Sequence, residues 1–531
     1  MPVIIAWHRL RLRARERDGF TMIIALGVMF VTSLLLLAAF TAVNGDINTS
    51  HENVTHQQAY YAALSGIQEY EYKLEANSSY WENCEPLVSN EEGGERYEVT
   101  LLAAEDEPKG TTCSSSNPFE TEIETTGAAA NTFRILSVGC AGSSTITSCS
   151  GQNKSNVSTR SIVATFKLTG FLDYVFFTQY EDIDPVLNGT NATNCTKYYE
   201  EKGVKRASEC QTLIFTKEDS VNGPMHTDDA ANVTCSKELN FGRKGHTPAD
   251  TVEIGGGTWP ACTTGNEPTY YTESKTYSKG TELVAPESDE SLGAYVESAD
   301  KFTGVTELTL NGTTNEITVA NWKSKVKTET KIPWPKNGLI YVEANGACTY
   351  EYKVEGSDTS SELGEEEKCG TVYVEGTYSK SLTIAGTDDV VVNGNINPTS
   401  VTGKLGSAPT GTQTLGLIAT NFVRVYHPCT SGFGGGNQTG TMQEPWIYAA
   451  ILSTDHSFVV DNYKCGAQLK NLSVYGAIAQ KFRGPVGQVG SHGYTKEYIY
   501  DQRLASEEPP YYLSPLKTGW KVSRETAPTA G

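Results

Sequence analysis

The residues best placed for chemistry lie in Asn222-Gly-Pro-Met-His-Thr-Asp-Asp229, where His226 stands beside Asp228 and Asp229. An imidazole next to two carboxylates has the composition of a metal site or of an acid–base pair. It is also the composition of a tight loop, because Gly-Pro turns followed by His, Thr and Asp satisfy backbone donors locally. The loop is the expectation, and no catalytic residue is assigned. Glu181-Asp-Ile-Asp-Pro185 gathers carboxylates that suit calcium, yet it lacks the D-x-(D/N)-x-(D/N)-G spacing and reads as a solvated turn. Gly432-Phe-Gly-Gly-Gly436 is followed by no P-loop Lys-Ser/Thr and reads as a flexible loop. No metal and no cofactor is expected: the chain has no C-x2-C pair and no cluster of histidines at ligand spacing beside one.

Around these residues, composition restricts the setting. With 531 residues and 38% hydrophobic content, the chain can bury two or three cores. A net charge of -21 repels phosphates and argues against nucleic-acid binding. Cys84, Cys113, Cys140, Cys149, Cys195, Cys210, Cys235, Cys262, Cys348, Cys369, Cys429 and Cys465 are the only cysteines. An even number of them, all beyond the N-terminal apolar run described next, reads as disulfides formed in an oxidising compartment. Sequence leaves the connectivity open; pairing nearest neighbours, which closes only local loops, is the default. Sequons such as Asn53-Val-Thr55, Asn191-Ala-Thr193 and Asn311-Gly-Thr313 fit an exposed surface without establishing glycosylation.

From Phe20 to Val43 no residue is charged, and a helix of about 20 apolar residues crosses a bilayer core. Before it stand Arg9, Arg11, Arg13, Arg15 and Arg17 against only Glu16 and Asp18. Such an arginine excess marks the cytoplasmic side, so the rest of the chain is expected outside the cytoplasm, on a single-pass anchor. A secretory signal would have a shorter apolar region and a small-x-small cleavage site.

The helix is expected to continue. Asn44 to Tyr80 contains no proline and keeps Ala59, Ala62, Ala63, Gly66, Ile67, Tyr70 and Leu74 at helical spacing. A helix from Phe20 to Tyr80, roughly 60 residues, would be on the order of 90 Å long, half in lipid and half covering a soluble core. Three alternating segments follow, 96–102, 133–140 and 160–168, separated by Gly, Ser and Asn, and they predict an antiparallel meander. A boundary is placed near Gly170. Beyond it, apolar triplets alternate with turns: Leu213-Ile-Phe215, Leu339-Ile-Tyr-Val342, Val372-Tyr-Val374, Leu382-Thr-Ile384, Val390-Val-Val392, Leu417-Ile-Ala419, Val423-Arg-Val425 and Leu472-Ser-Val474. They suit a parallel β-helix, with a β-sandwich as the competing architecture. Residues 263–330 read as an insertion or as weak turns of the same solenoid. Gly476 to Gly487 reads as a solenoid corner. A tail from about residue 495 is expected to lie over the solenoid and protect its end, with Tyr511, Tyr512 and Trp520 supplying the burial.

Gly19-Phe-Thr at the cytoplasmic edge of the apolar run resembles the processing signal of type IV pilins and pseudopilins. The resemblance implies cleavage after Gly19 by a dedicated membrane peptidase, methylation of Phe20 and packing of the helix in a filament. Major pilins carry Glu at the fifth mature position; here it is Ile24, a departure shared by PilX-like and K-type minor subunits. Gln58-Ala-Tyr-Tyr-Ala-Ala-Leu-Ser-Gly66 also resembles a pattern of PilX-like proteins, and segments like 222–229 and 476–487 occur in long members of that group without a known active site.

The expected fold class is therefore α+β: a long pilin-type helix on a small antiparallel sheet, then a large all-β head. The expected division is a basic leader to residue 19, a transmembrane part 20–43, a pilin-like domain 44–169 and a head 170–531. The resemblance implies a minor pilin or pseudopilin of a type IV pilus or a type II-like secretion pseudopilus. It would act at the tip in assembly initiation or adhesion, with other pilins, the prepilin peptidase and the membrane as partners. The alternative is a membrane-anchored β-helix protein serving as a carbohydrate-active enzyme or a surface scaffold.

Overall fold

The computed structural model describes residues 18–77, 80–82, 86–89, 94–102, 132–142, 148–149, 157–190, 192–197, 207–323, 326–349, 352, 367–402, 404–430, 436–516 and 520–526. One helix, Asp18–Ala76, runs for 59 residues without a proline to break it. Its segment Met22–Thr41 has a mean hydropathy of 2.6 and none of it is buried, so it is long and apolar enough to cross a membrane. Further along, Ala59, Ala62, Ala63, Ile67, Tyr70 and Leu74 are buried, on the spacing that the sequence predicts.

These residues pack on a five-stranded sheet in the order Leu87–Val88, Glu95–Leu102, Thr132–Ala141, Ser158–Leu168, Trp520–Thr526. The first three strands pair antiparallel. Small residues let the helix approach closely. A Cβ at Gly139 would overlap the Ala59 carbonyl oxygen, and one at Gly66 would lie 2.6 Å from Ser137 Oγ. The Ser137 hydroxyl donates to the Ala63 carbonyl at 2.7 Å. Phe133 and Phe166 stack at 5.2 Å beside Tyr70.

The helix and this sheet form one compact unit, up to Phe166 and again from Val522; a second unit runs from Lys167 to Lys521. The last strand therefore belongs to the first unit's sheet. The segment ahead of it is where the expected tail occurs. Tyr512 donates to the Ile451 carbonyl at 3.0 Å, Tyr511 stacks on Tyr295, and the Trp520 side chain lies outside those described. Residue 495 is not where the tail begins, because His492–Tyr500 is a strand paired with 468–476 and with 220–222.

The second unit is mostly β, built on one large curled sheet of 22 strands. One series of its strands pairs parallel and in register: 252–254, 225–227, 176–183, the second half of 468–483, 450–453, 415–419, 382–386, 339–343 and 301–303. Alternate residues point to opposite faces. One face carries the row Val252, Met225, Phe176, Ile478, Ile451, Leu417, Ile384 and Ile340, all in the main core. A second series stacks 269–270, 240–241, 220–222, 492–500 and 468–476 in parallel. A third piles 306–311, 372–378, 390–398, 423–425 and 458–460. Every apolar triplet named from the sequence lies in or overlaps one of the described strands. The expected corner at 476–487 is mostly strand, for Gln468–Arg483 is continuous, and the chain turns only at Gly484. A Cβ at Gly484 would collide with the Phe458 carbonyl oxygen.

The stack does not follow chain order. From one end the strands read 252, 225, 176, then 478, 450, 415, 382, 339, 301, so the first strand of this series lies between its second and its last. Segment 280–300 makes the return journey. It passes His226 and Asp228 near residues 280–283, Thr420 at Asp289 and Tyr341 at Gly293 and Asp300. Leu283, Ala285 and Leu292 are buried on the row Phe177, Ala479, Leu452, Ile418, Ala385 and Tyr341, the outward counterpart of the core row. The stretch 263–330 is thus neither a simple insertion nor a set of weak turns: it holds strands, this return segment, and the hairpin strands 316–323 and 326–333. The edge strand Val326–Pro333 is exposed and carries Lys327 and Lys331, paired with Glu307 and Glu316, as charged edges do.

Candidate functional site

His226 sits on the short strand Met225–Thr227, in register between Phe177 and Glu253 on the outward row. Its Nε2 bonds Asp228 at 2.8 Å and its Nδ1 bonds Glu253 at 2.7 Å. Tyr174 donates to the same Glu253 carboxylate at 2.5 Å. The rings of Tyr174 and Phe177 lie 5.1 and 5.6 Å from the imidazole. Burial is the largest influence on His226 and disfavours its charge, yet the hydrogen bonds and charges of Asp228 and Glu253 outweigh it and raise the pKa. Asp228 is raised as well, by burial first, against the lowering influence of His226.

The cluster is closed around its imidazole, while the Glu253 side chain stays 21% exposed. The side chains of His226 and Asp228 are 1% and 2% exposed, and Asp228 also accepts the Leu283 N–H at 3.1 Å from the return segment. Gly280 seals the other side, where a Cβ would come within 2.5 Å of His226 Cε1. The imidazole itself is enclosed, and solvent reaches the cluster only at Glu253; what the arrangement can do is hold a proton and fasten the segment above it.

The adjacency visible in sequence is only half of this constellation. Asp229 turns away from His226 and accepts the backbone N–H groups of Glu181 and Ala230 at 2.9 and 2.7 Å. Glu253 is distant in sequence and arrives through strand register. The alternation of Val252-Glu-Ile254 is the one local signal that could have found it.

Glu181, Asp182 and Asp184 are buried and do not form a solvated turn, since every residue of Phe176–Ile183 is covered on both faces. They diverge to separate partners. Glu181 accepts from Arg483 Nη1 at 2.9 Å. Asp184 caps the short helix Pro185–Asn188 and bonds His456 Nδ1 at 3.0 Å and Ser457. Asp182 lies beside Cys195 and Cys210.

Five disulfides join Cys140–Cys149, Cys195–Cys210, Cys235–Cys262, Cys348–Cys369 and Cys429–Cys465, each to its sequence neighbour. Cys84 and Cys113 lie outside the described residues, as do the basic leader and residues 432–435 of the glycine-rich loop. Two groups of metal-ligating type occur among the described residues, Asp182 with Cys195 and Cys210, and Asp388 with Cys348 and Cys369. In both, the sulfurs are already bonded to each other, which removes them as thiolate ligands. The backbone of Gly19 and Phe20 is helical, at the start of Asp18–Ala76; the Phe20 side chain lies outside those described. Ile24 is exposed on the apolar segment.

No protein-family model, curated protein sequence or solved structure matches the chain.

Proposed function

We propose that this protein is a minor pilin-like or pseudopilin-like subunit, anchored by its apolar helix, whose large head projects from a type IV pilus or a related secretion pseudopilus. The observation that carries the reading is the two-part helix: Met22–Thr41 bare and apolar, then Ala59 to Leu74 buried on an antiparallel sheet without a break between them. An ordinary signal anchor needs only the first part. A helix meant for lateral packing with others of its kind needs the second to be held rigid by a domain, as the tight crossing at Gly139 and Gly66 does.

We read the head as a solenoid. Parallel, in-register ladders with a continuous inward apolar row support this over a sandwich, whose sheets are antiparallel. A head this large would collide with its copies if it were repeated along a filament, so a tip or rare position suits it, with assembly initiation or adhesion as the role. The five disulfides fit an extracytoplasmic location for everything beyond the anchor. Enclosure of the His226 imidazole and the Asp228 carboxylate supports a non-enzymatic role and weighs against the carbohydrate-active alternative.

The mature N-terminus tests the proposal. Mass spectrometry of protein purified from membranes should find methylated Phe20, and Gly19→Arg should block processing. An intact leader, or a terminus beyond residue 43, would remove the pilin reading.

A further inference from the structure

Among the contacts that hold the return segment, which include Leu516 N–H to the Val284 carbonyl and Asn337 to the Tyr295 carbonyl, two hold a buried carboxylate oxygen with nothing to bond. At its start, Asp228 Oδ1 takes His226 and the Leu283 N–H, while Asp228 Oδ2 has no hydrogen-bond partner. In its middle, Asp289 is fully buried; its Oδ1 accepts from the Thr420 hydroxyl at 3.0 Å and its Oδ2 has no hydrogen-bond partner. A buried, acceptor-only oxygen without a donor penalises the ionised form. The imidazolium of His226 offsets that penalty at Asp228 and Glu253 only while it keeps its proton.

We propose that segment 280–296 is a pH-gated cover of the outward apolar row, fastened while His226 and Asp289 hold their protons and loosened as rising pH removes them. The groups facing each tie act in the same direction. Around His226 stand Asp228, Glu253 and Tyr174, with Glu282 acting on Asp228 from the cover itself. Around Asp289 stand Thr420 and Asp388 from the stack and Glu290 from the cover, with Tyr341 also coupled to it. Burial first, then the charges of Asp388 and Glu290, push Asp289 up to about 7, and the Thr420 bond only partly opposes this. Both folded-state values are raised, so each tie contributes its stability at low pH and loses it as pH rises through the folded value. What the cover would bare is the row Tyr341, Ala385, Ile418, Leu452, Ala479 and Phe177.

Hydrogen exchange of the full-length protein in detergent, read by mass spectrometry and corrected for the intrinsic rate, tests this at about pH 5.5 and about pH 8.5. Peptides from 280–296 should lose about tenfold or more of their protection at the higher pH, while 450–453 beneath them keeps its own. Asp289→Asn should retain the middle of the cover at high pH. Equal protection of 280–296 at both values overturns the proposal, and so does an Asp289→Asn variant that loosens in parallel with the natural protein. Should that variant fail to fold, the comparison of 280–296 with 450–453 in the natural protein decides alone.

Discussion

Arg483 shows how this molecule uses its charged residues. Its side chain is among the largest that are fully buried. Nη1 donates to Glu181 at 2.9 Å and to the Leu213 carbonyl at 3.0 Å, and the guanidinium lies 3.4 Å over the Phe215 ring. The pair joins the first strand of its parallel series, Phe176–Ile183, to the last of that series in chain order, Gln468–Arg483, which the sequence separates widely. Removing one partner leaves the other buried and uncompensated, so Glu181→Gln or Arg483→Met should each destabilise the protein by about 3–5 kcal/mol. The double variant Glu181→Gln with Arg483→Met should cost less than the sum, and chemical denaturation of the four proteins measures the difference. A second buried set follows the same logic: Arg424 Nη1 bonds Asp389 and Nε bonds Asp461, each at 2.9 Å, under the ring of Tyr352.

At the level of elements, the helix crossing at Gly139 invites a direct test. Gly139→Val would place a side chain against the helix backbone at Ala59 and Ala63, where no flexible group can yield. Overpacking of this kind costs about 1–3 kcal/mol or more. Exchange protection of residues 55–74 should fall while 22–41, shielded by the micelle, is unaffected. Equal protection would mean that the sheet does not hold the helix. This helix was legible because its small residues recur at a single period with no proline to interrupt them, and the meander because its strands alternate. The head's apolar triplets were legible for the same reason. Their neighbours were not: a triplet such as Val390-Val-Val392 records burial on both faces and says nothing of which other triplet lies beside it. His226 suffered accordingly. Asp228 could be read from spacing, Asp229 misled, and Glu253 depended on register between two strands with no local mark of their pairing. The acidic run 181–184 looked solvated because charge was visible and Arg483 and His456, which compensate it, were far along the chain.

At the scale of the whole molecule, the chain beyond Phe133 passes between its two compact units twice, once after Phe166 and once before Val522. A fragment from Lys167 to Leu516 should therefore fold alone, β-rich by circular dichroism and with four intact disulfides, since it holds both ends of the stack and leaves strand 520–526 with its own sheet. An unfolded fragment beside a stable full chain would mean that the two units share one core. Deleting 520–526 from the full chain should instead weaken the five-stranded sheet by uncovering the edge of Ser158–Leu168.

The position of Phe176–Ile183 between the second and the last strands of its series has a consequence for biogenesis. If the anchor leads during synthesis, this strand emerges early, but one of its two edges has no partner until Ile478 to Arg483 arrives. At about 5–20 residues per second, roughly 300 residues of delay is on the order of 15–60 s. Through that interval the nascent chain presents an unpaired apolar edge, and a neighbouring nascent copy could fill it as well as its own last strand can. Crowding of emerging chains is therefore a hazard specific to this order of assembly, and it ends only when the final strand closes the gap.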